Sequence, residues 1–392
     1  MQRTIKITRR IGIVMAAASP AFFGGALAAC ACLALCHPLR AETLEQRLRT
    51  VIEAHAGVVA VSVKHLDNGE QFAHRADEPM PTASLVKFPV MIEAYRQAGA
   101  GEIDLAKQVT LRNDDKVPGS GILTSHFSAG AAFALRDAIG LMIAFSDNTA
   151  TNLVLDEIGL DATAKYMEQL GCPNTKIHAK VFKRETSIFP ERSQQFGLGS
   201  TTAAEMLKLL ELLHQRKLVS PEASDKMKEH LLKCDDRKKF PRLLPEGTKL
   251  AHKTGSVDNV RTDAGIIYSP AGPFALCVLT NENKDTRWAE DNAGDVLCAK
   301  IAHAVYEHFN PPPPKADQKE PQAVRDRATG KIALSEYRTG GSQDIDDEDA
   351  AADSLPELQP HDRLAGPPFV ACRAWAIADA QTGKLLWESQ SA

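Results

Sequence analysis

Strand-like alternation of apolar and polar residues occurs at both ends of a stretch whose middle has helical period, and this arrangement restricts the possible folds most. "VVAVSVKHLDNGEQFAHR" (58–75) alternates on either side of Asp67-Asn68-Gly69, residues that favour a tight hairpin connection. Three more short strands, "KLAHKTG" (249–255), "DAGIIYS" (263–269) and "FALCVLTN" (274–281), lie some 200 residues later. Between them, residues 82–233 are mostly helical in period, with loops at "RNDDKVPGSG" and "KRETSIFPERSQQFGLGS". Strands this far apart reach a common core by pairing in one sheet. The expectation is an α+β fold with an antiparallel sheet completed by both ends of the domain. A first helix from Glu42 to His55, with Leu44, Leu48, Val51 and Ile52 on one face, and a last helix over Ala293–Phe309 close the unit at 42–309.

The flanks differ in kind. Arg3, Lys6, Arg9 and Arg10 precede an apolar stretch from Ile11 to Cys36, which reads as an export signal over 1–41 and places the mature protein in the periplasm or otherwise outside the cytoplasm. Pro20, Gly24 and Gly25 interrupt the stretch and weaken the reading as a permanent anchor. "TRRIGI" resembles a twin-arginine signal and "LAAC" a lipoprotein box that would lipidate Cys30, but the apolar "ACLALC" favours cleavage near Ala41. Membrane association is expected only if the signal is retained or Cys30 is lipidated. Residues 310–366 open on "NPPPPKADQKEPQ" and carry six acids between Asp344 and Asp353, the composition of a linker.

With 392 residues and 44% hydrophobic content, the chain can bury a large core. A net charge of −4 and the lack of a basic helix speak against nucleic-acid partners. Of eight cysteines, Cys30, Cys32 and Cys36 fall in the signal; Cys172, Cys234, Cys277, Cys298 and Cys372 form no C-x-x-C and no metal spacing. Cys277 and Cys298 read as small buried hydrophobes. No metal and no cofactor is expected.

Chemistry concentrates in three strings. In "PTASLVKFPV", Ser84 and Lys87 are i and i+3 and share a helix face beside the stripe of Leu85, Phe88, Ile92 and Tyr95. A lysine drawn into the interior loses the hydration of its charged form, and a neutral amine can take a proton from a serine hydroxyl. "SDN" (146–148) lies between two apolar helices, where a break can present Ser146 and Asn148 to a cleft. In "KTG" (253–255), strand alternation points His252 and Lys253 to opposite faces. Taken singly, Ser84 and Asn148 read equally well as helix caps and Lys253 as a strand end; occurring together and in order, the three strings mark an acyl-transfer site.

This triplet is the signature of class A β-lactamases and penicillin-binding proteins, and residues 42–309 resemble a class A β-lactamase in motif order, spacing and arrangement of elements. The resemblance implies a serine hydrolase that opens β-lactam rings through an acyl-Ser84 intermediate. It implies Lys87 as base or electrostatic partner, Ser146 as proton relay, Asn148 as holder of the substrate amide and Asp147 as structural. Lys253 would attract the substrate carboxylate, Thr254 and Ser256 would hydrogen-bond it, and the backbone N–H groups of Ser84 and Ser256 would form the oxyanion hole. Arg261 is a carboxylate-binding candidate or a structural ion pair, with Arg287 behind it, and His126 reads as a surface residue.

The sequence departs from the family pattern at one point: the E-x-x-L-N whose glutamate aims a water at the acyl-enzyme is missing. In its place Glu191, with Gln195 four residues on, is preferred to Glu185 as the water-activating base. Two further functions share the constellation: a D,D-peptidase acting on cell-wall peptides, and a penicillin-binding or sensor module that acylates and stops. The partner in each case is a small-molecule β-lactam or a cell-wall peptide. Neither H-x-H nor G-x-S-x-G occurs to suggest a zinc or α/β-hydrolase.

The tail, "FVACRAWAIADAQTGKLLWESQSA", repeats the plan of the opening hairpin, with Gly383 where the first copy has Gly69. Residues 367–392 are expected to be a hairpin and resemble the incomplete start of a second hydrolase-like domain of the D-alanyl-D-alanine carboxypeptidase kind.

Overall fold

The structure is a computed structural model that describes residues 42–311 and, at 374–378 and 385–390, the backbone of two strands. In chain order the first unit contains α1 (Leu44–Glu53), β1 (Val58–His65), β2 (Gln71–His74), β3 (Met80–Pro81), a 3₁₀ turn at Ala83–Val86, α2 (Lys87–Gly99), β4 (Gln108–Thr110), α3 (Leu123–His126), β5 (Ala132–Ala134), α4 (Leu135–Ala144), α5 (Asn148–Ile158), α6 (Leu160–Gln169) and β6 (Lys176–Ile177). Then come α7 (Pro190–Phe196), β7 (Gly199–Thr201), α8 (Ala203–His214), α9 (Pro221–Leu231), β8 (Lys249–Val257), β9 (Val260–Ser269), β10 (Gly272–Asn281) and α10 (Ala293–Phe309).

The main sheet has the order β2-β1-β10-β9-β8 and is antiparallel throughout. Its first and last strands in sequence share one ladder, with Val58 opposite Asn281 and His65 opposite Phe274, so both ends of the domain do complete the sheet. The period-2 pattern sorts its side chains onto two cores. Val59, Val61, Val63, Phe274, Leu276 and Val278 face α1 and α10; Ala60, Ala251, Ala264, Ala275 and Cys277 face the helical region, where small side chains let α8 lie close to the strands. The helix α1 starts from a capping box: Thr43 Oγ1 accepts from Gln46 N (3.2 Å) and Gln46 Oε1 from Thr43 N (3.0 Å). It buries the stripe Leu44, Leu48 and Ile52.

The central helix is α2, buried at Lys87, Phe88, Pro89, Val90, Met91, Ile92, Glu93, Ala94, Tyr95 and Gln97. A helix apolar almost all round belongs in a core, and α2 packs against α4, α5, α6 and α9. The loop expected over 183–200 is more ordered than its sequence suggests. It folds into α7 and into β7, the middle strand of the small sheet β3-β7-β6. The helix was obscured because Pro190, a good first helical residue, reads in sequence as a breaker.

A layer of charge lies behind β8. His252 Nδ1 is 2.9 Å from Asp263 Oδ1, whose Oδ2 accepts from Phe240 N at 3.1 Å. Lys239 pairs with Asp236 (2.9 Å) and Asp295 (3.2 Å). Burial alone would lower the His252 imidazolium, but the charge of Asp263, together with its hydrogen bond and the facing Cys234, outweighs it and raises the group to about 10. Among the described residues Cys172, Cys234, Cys277 and Cys298 are buried and free; Cys372 lies outside them. No helix among the described residues is long and apolar enough to cross a membrane, and the signal expected at 1–41 and most of the linker expected at 310–366 fall outside the description.

In the second unit, β11 (Ala374–Ala378) pairs antiparallel with β12 (Leu385–Gln390), Ala374 opposite Gln390, which is the hairpin expected from the alternation.

The charge layer yields a prediction. In Asp263→Asn the buried imidazolium loses its counter-charge, so stability at pH 7, measured by urea unfolding, should fall by about 3–5 kcal/mol. His252 holds its proton in the folded state up to about 10, whereas a free imidazole releases it near 6.5. The ion pair therefore contributes fully below the lower value and is lost as pH rises through the higher one, so the penalty should shrink at alkaline pH. A penalty under about 1 kcal/mol at pH 7 would be inconsistent with this role for the pair.

Candidate active site

Three elements converge on one point. The 3₁₀ turn Ala83–Val86 carries Ser84, partly exposed, and α2 begins only at Lys87, so the serine precedes the α-helix instead of opening it. The turn is held in an uncommon backbone conformation: Ala83 has φ +46°. β8 runs directly against it. A Cβ added at Gly255 would lie 2.4 Å from Thr82 O and 2.9 Å from Leu85 N, so only glycine permits this approach. Thr262 Oγ1 donates to Thr82 O across the same seam at 3.0 Å. The backbone of Gly255-Ser256 is thereby brought beside the turn of Ser84, the juxtaposition expected of two oxyanion donors.

The second element is the break between α4 and α5. Ser146 occupies the left-handed region at φ +52°. Asp147 caps α5, with Oδ1 accepting from Ala150 N (2.8 Å) and Oδ2 from Ile122 N (2.7 Å) and Leu123 N (2.8 Å). The structural role expected of Asp147 is thus accounted for by three backbone donors. The sharp break turns Ser146 and Asn148 toward Lys87.

Lys87 Nζ lies 2.5 Å from Ser146 O, 2.8 Å from Asn148 Oδ1 and 3.2 Å from Ser146 Oγ. Burial, reinforced by the positive charge of Lys253, pulls the amine well below the usual lysine range, against a smaller opposing effect of Asp147. A neutral amine has two N–H donors and one lone pair. The two carbonyl oxygens take the donors, which leaves the lone pair able to accept a proton. Lys253 Nζ donates to Ser146 Oγ (3.1 Å) and Thr254 O (2.8 Å). Lys253 is also lowered by burial, but carboxylate and thiol charges behind the strand oppose the shift, so of the two amines Lys253 is the better cation. The Ser146 hydroxyl thus stands between the two amines, within hydrogen-bond reach of both. Asn148 spends one N–H on Pro118 O (3.0 Å), and the other is free for a ligand.

Two expected site residues fall elsewhere. Arg261 is 1% exposed, and its donors go to the carbonyls of Val257 (3.3 Å), Asp258 (2.9 Å), Val260 (2.9 Å) and Arg287 (3.1 Å). Its Nε lies 3.5 Å from Asp295, and the Trp288 ring stacks on the guanidinium at 4.9 Å. With its donors occupied, Arg261 ties the β8–β9 end to the loop before α10, and the structural alternative holds over carboxylate binding. Its runner-up Arg287 is exposed and paired with Asp285 and Asp291. Thr254 is buried and Ser256 half-buried on the closing strand, and His126 is exposed beside Ser125.

Glu191 makes no hydrogen bond to the cluster among the described residues. It lies exposed in the first turn of α7, where an acid suits the helix dipole, and α7 packs on β7. Glu185 is exposed in the turn Arg184–Thr186. The loop is fastened to α5 at Val181, where Asn152 Oδ1 accepts from Val181 N (2.8 Å) and its Nδ2 donates to Val181 O (3.0 Å), and at Lys180, which pairs with Asp156. Val181 is buried, and Phe182 follows it. Sequence reading missed this clamp; Asn152, one helical turn after Asn148, is the signal that could have found it.

Residues 43–309 match the model of the Beta-lactamase enzyme family. A β-lactamase of Proteus vulgaris is 25% identical over 277 residues, covering 67% of this chain and 88% of that protein. A solved structure of a β-lactamase from Sphaerobacter thermophilus is 32% identical, with a TM-score of 0.61, and covers 69% of this chain and 98% of that one. The structure of PBP-A shares the fold at 24% identity and a TM-score of 0.60, covering 68% and 96%. The family match spans more than half of a chain in which the Lys87 amine, the Ser146 hydroxyl and the Lys253 amine meet at the seam of this fold, and the chain belongs to the β-lactamase enzyme family.

Proposed function

We propose that residues 42–309 are a serine hydrolase of the class A type that opens β-lactam rings through an acyl-Ser84 ester. The observation that carries this reading is the buried Lys87 amine, fixed between Ser146 and Asn148 with Lys253 on the far side of the same hydroxyl. Ser84 Oγ attacks the lactam carbonyl as Lys87 takes its proton. The carbonyl oxygen gathers charge against the N–H groups of Ser84 and Ser256. When the C–N bond breaks, Ser146 gives its proton to the departing nitrogen and is resupplied from Lys87. Lys253, Thr254 and Ser256 hold the substrate carboxylate, and the free N–H of Asn148 holds the side-chain amide. No metal or cofactor enters this scheme.

A second reading, acylation followed by slow release as in a penicillin-binding module or a D,D-peptidase on cell-wall peptides, is favoured by one specific observation. Both loop glutamates are exposed, and the loop backbone that Asn152 of α5 holds is that of the apolar Val181. The acyl-ester then meets water without a loop carboxylate to activate it, and Lys87 is the base left in the cluster. We propose further that residues 1–41 direct export to the periplasm, that 310–366 are a linker, and that the hairpin within 367–392 begins a second hydrolase-like domain.

Four predictions test the proposal. Ser84→Ala should abolish the mass increase that penicillin produces in the intact protein; stoichiometric labelling of the mutant would remove Ser84 as the nucleophile. Acylation should fall on the acid side as pH drops through the depressed value of Lys87, because the ammonium form cannot accept the serine proton. Lys87→Arg, charged at every accessible pH, should lose at least about a hundredfold in acylation rate. Finally, Glu191→Gln and Glu185→Gln should each change steady-state turnover of a chromogenic cephalosporin by less than about threefold, whereas removal of a working general base costs a hundredfold or more. A hundredfold loss in either mutant would restore that glutamate as the water-activating base.

A further inference from the structure

The turn that fastens the loop to α5 carries an unusual residue. Lys183 N donates to Lys180 O at 3.1 Å, closing a four-residue turn whose third position is Phe182 with φ +57°. A turn of this kind calls for glycine or asparagine there, since a Cβ crowds the left-handed region. Phe182 is nevertheless 64% exposed, so burial of the ring does not offset the unfavourable backbone. The surroundings hold the turn firmly: Asn152 brackets Val181 with two hydrogen bonds, Thr186 Oγ1 accepts from Lys180 N (2.9 Å), and Lys180 pairs with Asp156. Strained conformations that persist under such constraint cluster where a ligand is gripped.

The ring has a definite neighbour. A Cβ placed on Gly119 would lie 2.7 Å from Asn148 Nδ2, 3.1 Å from Phe182 Cε2 and 3.4 Å from Phe182 Cζ. Gly119, at φ +88°, is thus the floor on which the Asn148 amide and the Phe182 ring edge meet. The segment is itself tied to the catalytic break, through Ser120 Oγ to Ser146 O at 2.7 Å and Asn148 Nδ2 to Pro118 O at 3.0 Å. An aromatic face is therefore held open to solvent beside the amide assigned to the substrate's own amide.

We infer that Phe182 is a specificity-determining residue, the aromatic wall of a subsite for the acyl side chain of the substrate, and that the site prefers β-lactams or peptides whose amide bears an aromatic or bulky apolar group. The inference rests on the acyl-Ser84 reading above. Ring-on-ring contact and exclusion of water favour such a group next to the amide, and a glycine floor leaves room for it to approach edge-on.

The experiment compares acylation rates, followed by intact mass, for benzylpenicillin and for 6-acetamidopenicillanic acid, which keeps the amide but lacks the ring. The wild type should prefer benzylpenicillin. Phe182→Ala and Phe182→Gly should lose about tenfold against benzylpenicillin, a usual size for an apolar side-chain contact, and stay within about twofold against the acetamido compound. Phe182→Gly also relieves the turn, so its thermal midpoint should equal or exceed that of the wild type, which separates loss of the wall from collapse of the loop. Equal losses with both compounds, or no loss with either, would overturn the assignment of Phe182 while leaving the acyl-serine reading intact. Absence of labelling of the wild type by either compound would overturn both.

Discussion

The burial of one amine organises this molecule. Lys87 opens a helix that is enclosed on nearly every side, and its charged form would be isolated there with Lys253 nearby as a second positive charge. The interior tolerates it as a neutral amine with its donors on Ser146 O and Asn148 Oδ1. Those acceptors exist only because the chain breaks between α4 and α5. The break in turn requires the left-handed backbone of Ser146 and the triple acceptance by Asp147. Each unfavourable element, the desolvated lysine and the strained serine, supplies what the other needs. Such mutual satisfaction makes a buried polar cluster specific instead of merely costly.

The sheet supplies the other half of the site by proximity. Gly255 lets β8 run against the turn of Ser84, and the hydrogen bond from Thr262 fixes the seam. On the opposite face the same strands bear His252 and Asp263, whose pairing satisfies Phe240 N and joins β8, β9 and the segment before β8. The closing strand is therefore held from both sides, by a close glycine approach in front and by an ion pair behind. That rigidity suits the role proposed for the strand, whose backbone N–H would meet a developing oxyanion without reorganisation.

Much of this was legible in the sequence because it depends on local period. The hairpin about Gly69, the final helix and the opposed directions of His252 and Lys253 follow from spacings of two and of three to four residues. The three short motifs are as readable, since each is a few contiguous residues. What escaped was decided by tertiary partners. Arg261 carries a charge in any reading, but only the folded hairpin shows that its donors are occupied by carbonyls of its own neighbourhood. Glu191 has the right chemistry and a plausible spacing, yet Pro190 starts a helix that turns it outward. Which residue of the 180–196 loop faces α5 is settled by the side chain of Asn152, some thirty residues away, and no local pattern announces that pairing.

That single clamp has two consequences at once. By gripping the backbone of Val181, Asn152 fastens a buried apolar residue to α5, and the loop's carboxylates lie on the outside. The next residue must then leave the clamp through a tight turn, and the chain places there a phenylalanine in a conformation glycine would adopt more readily. A loop used only to close the cavity would gain from glycine at this position and lose nothing by hiding the ring. Instead the backbone is held in a costly shape and the ring stands beside Asn148. The acylation proposed here rests on Ser84, Lys87, Ser146 and Lys253, none of which hydrogen-bonds to this turn, so the loop is free to vary in how it would receive an acyl group without disturbing how the group would be attached. On the inference drawn for Phe182, the turn receives an apolar acyl side chain, while the proton chemistry proposed for the site stays with the amine at the start of α2.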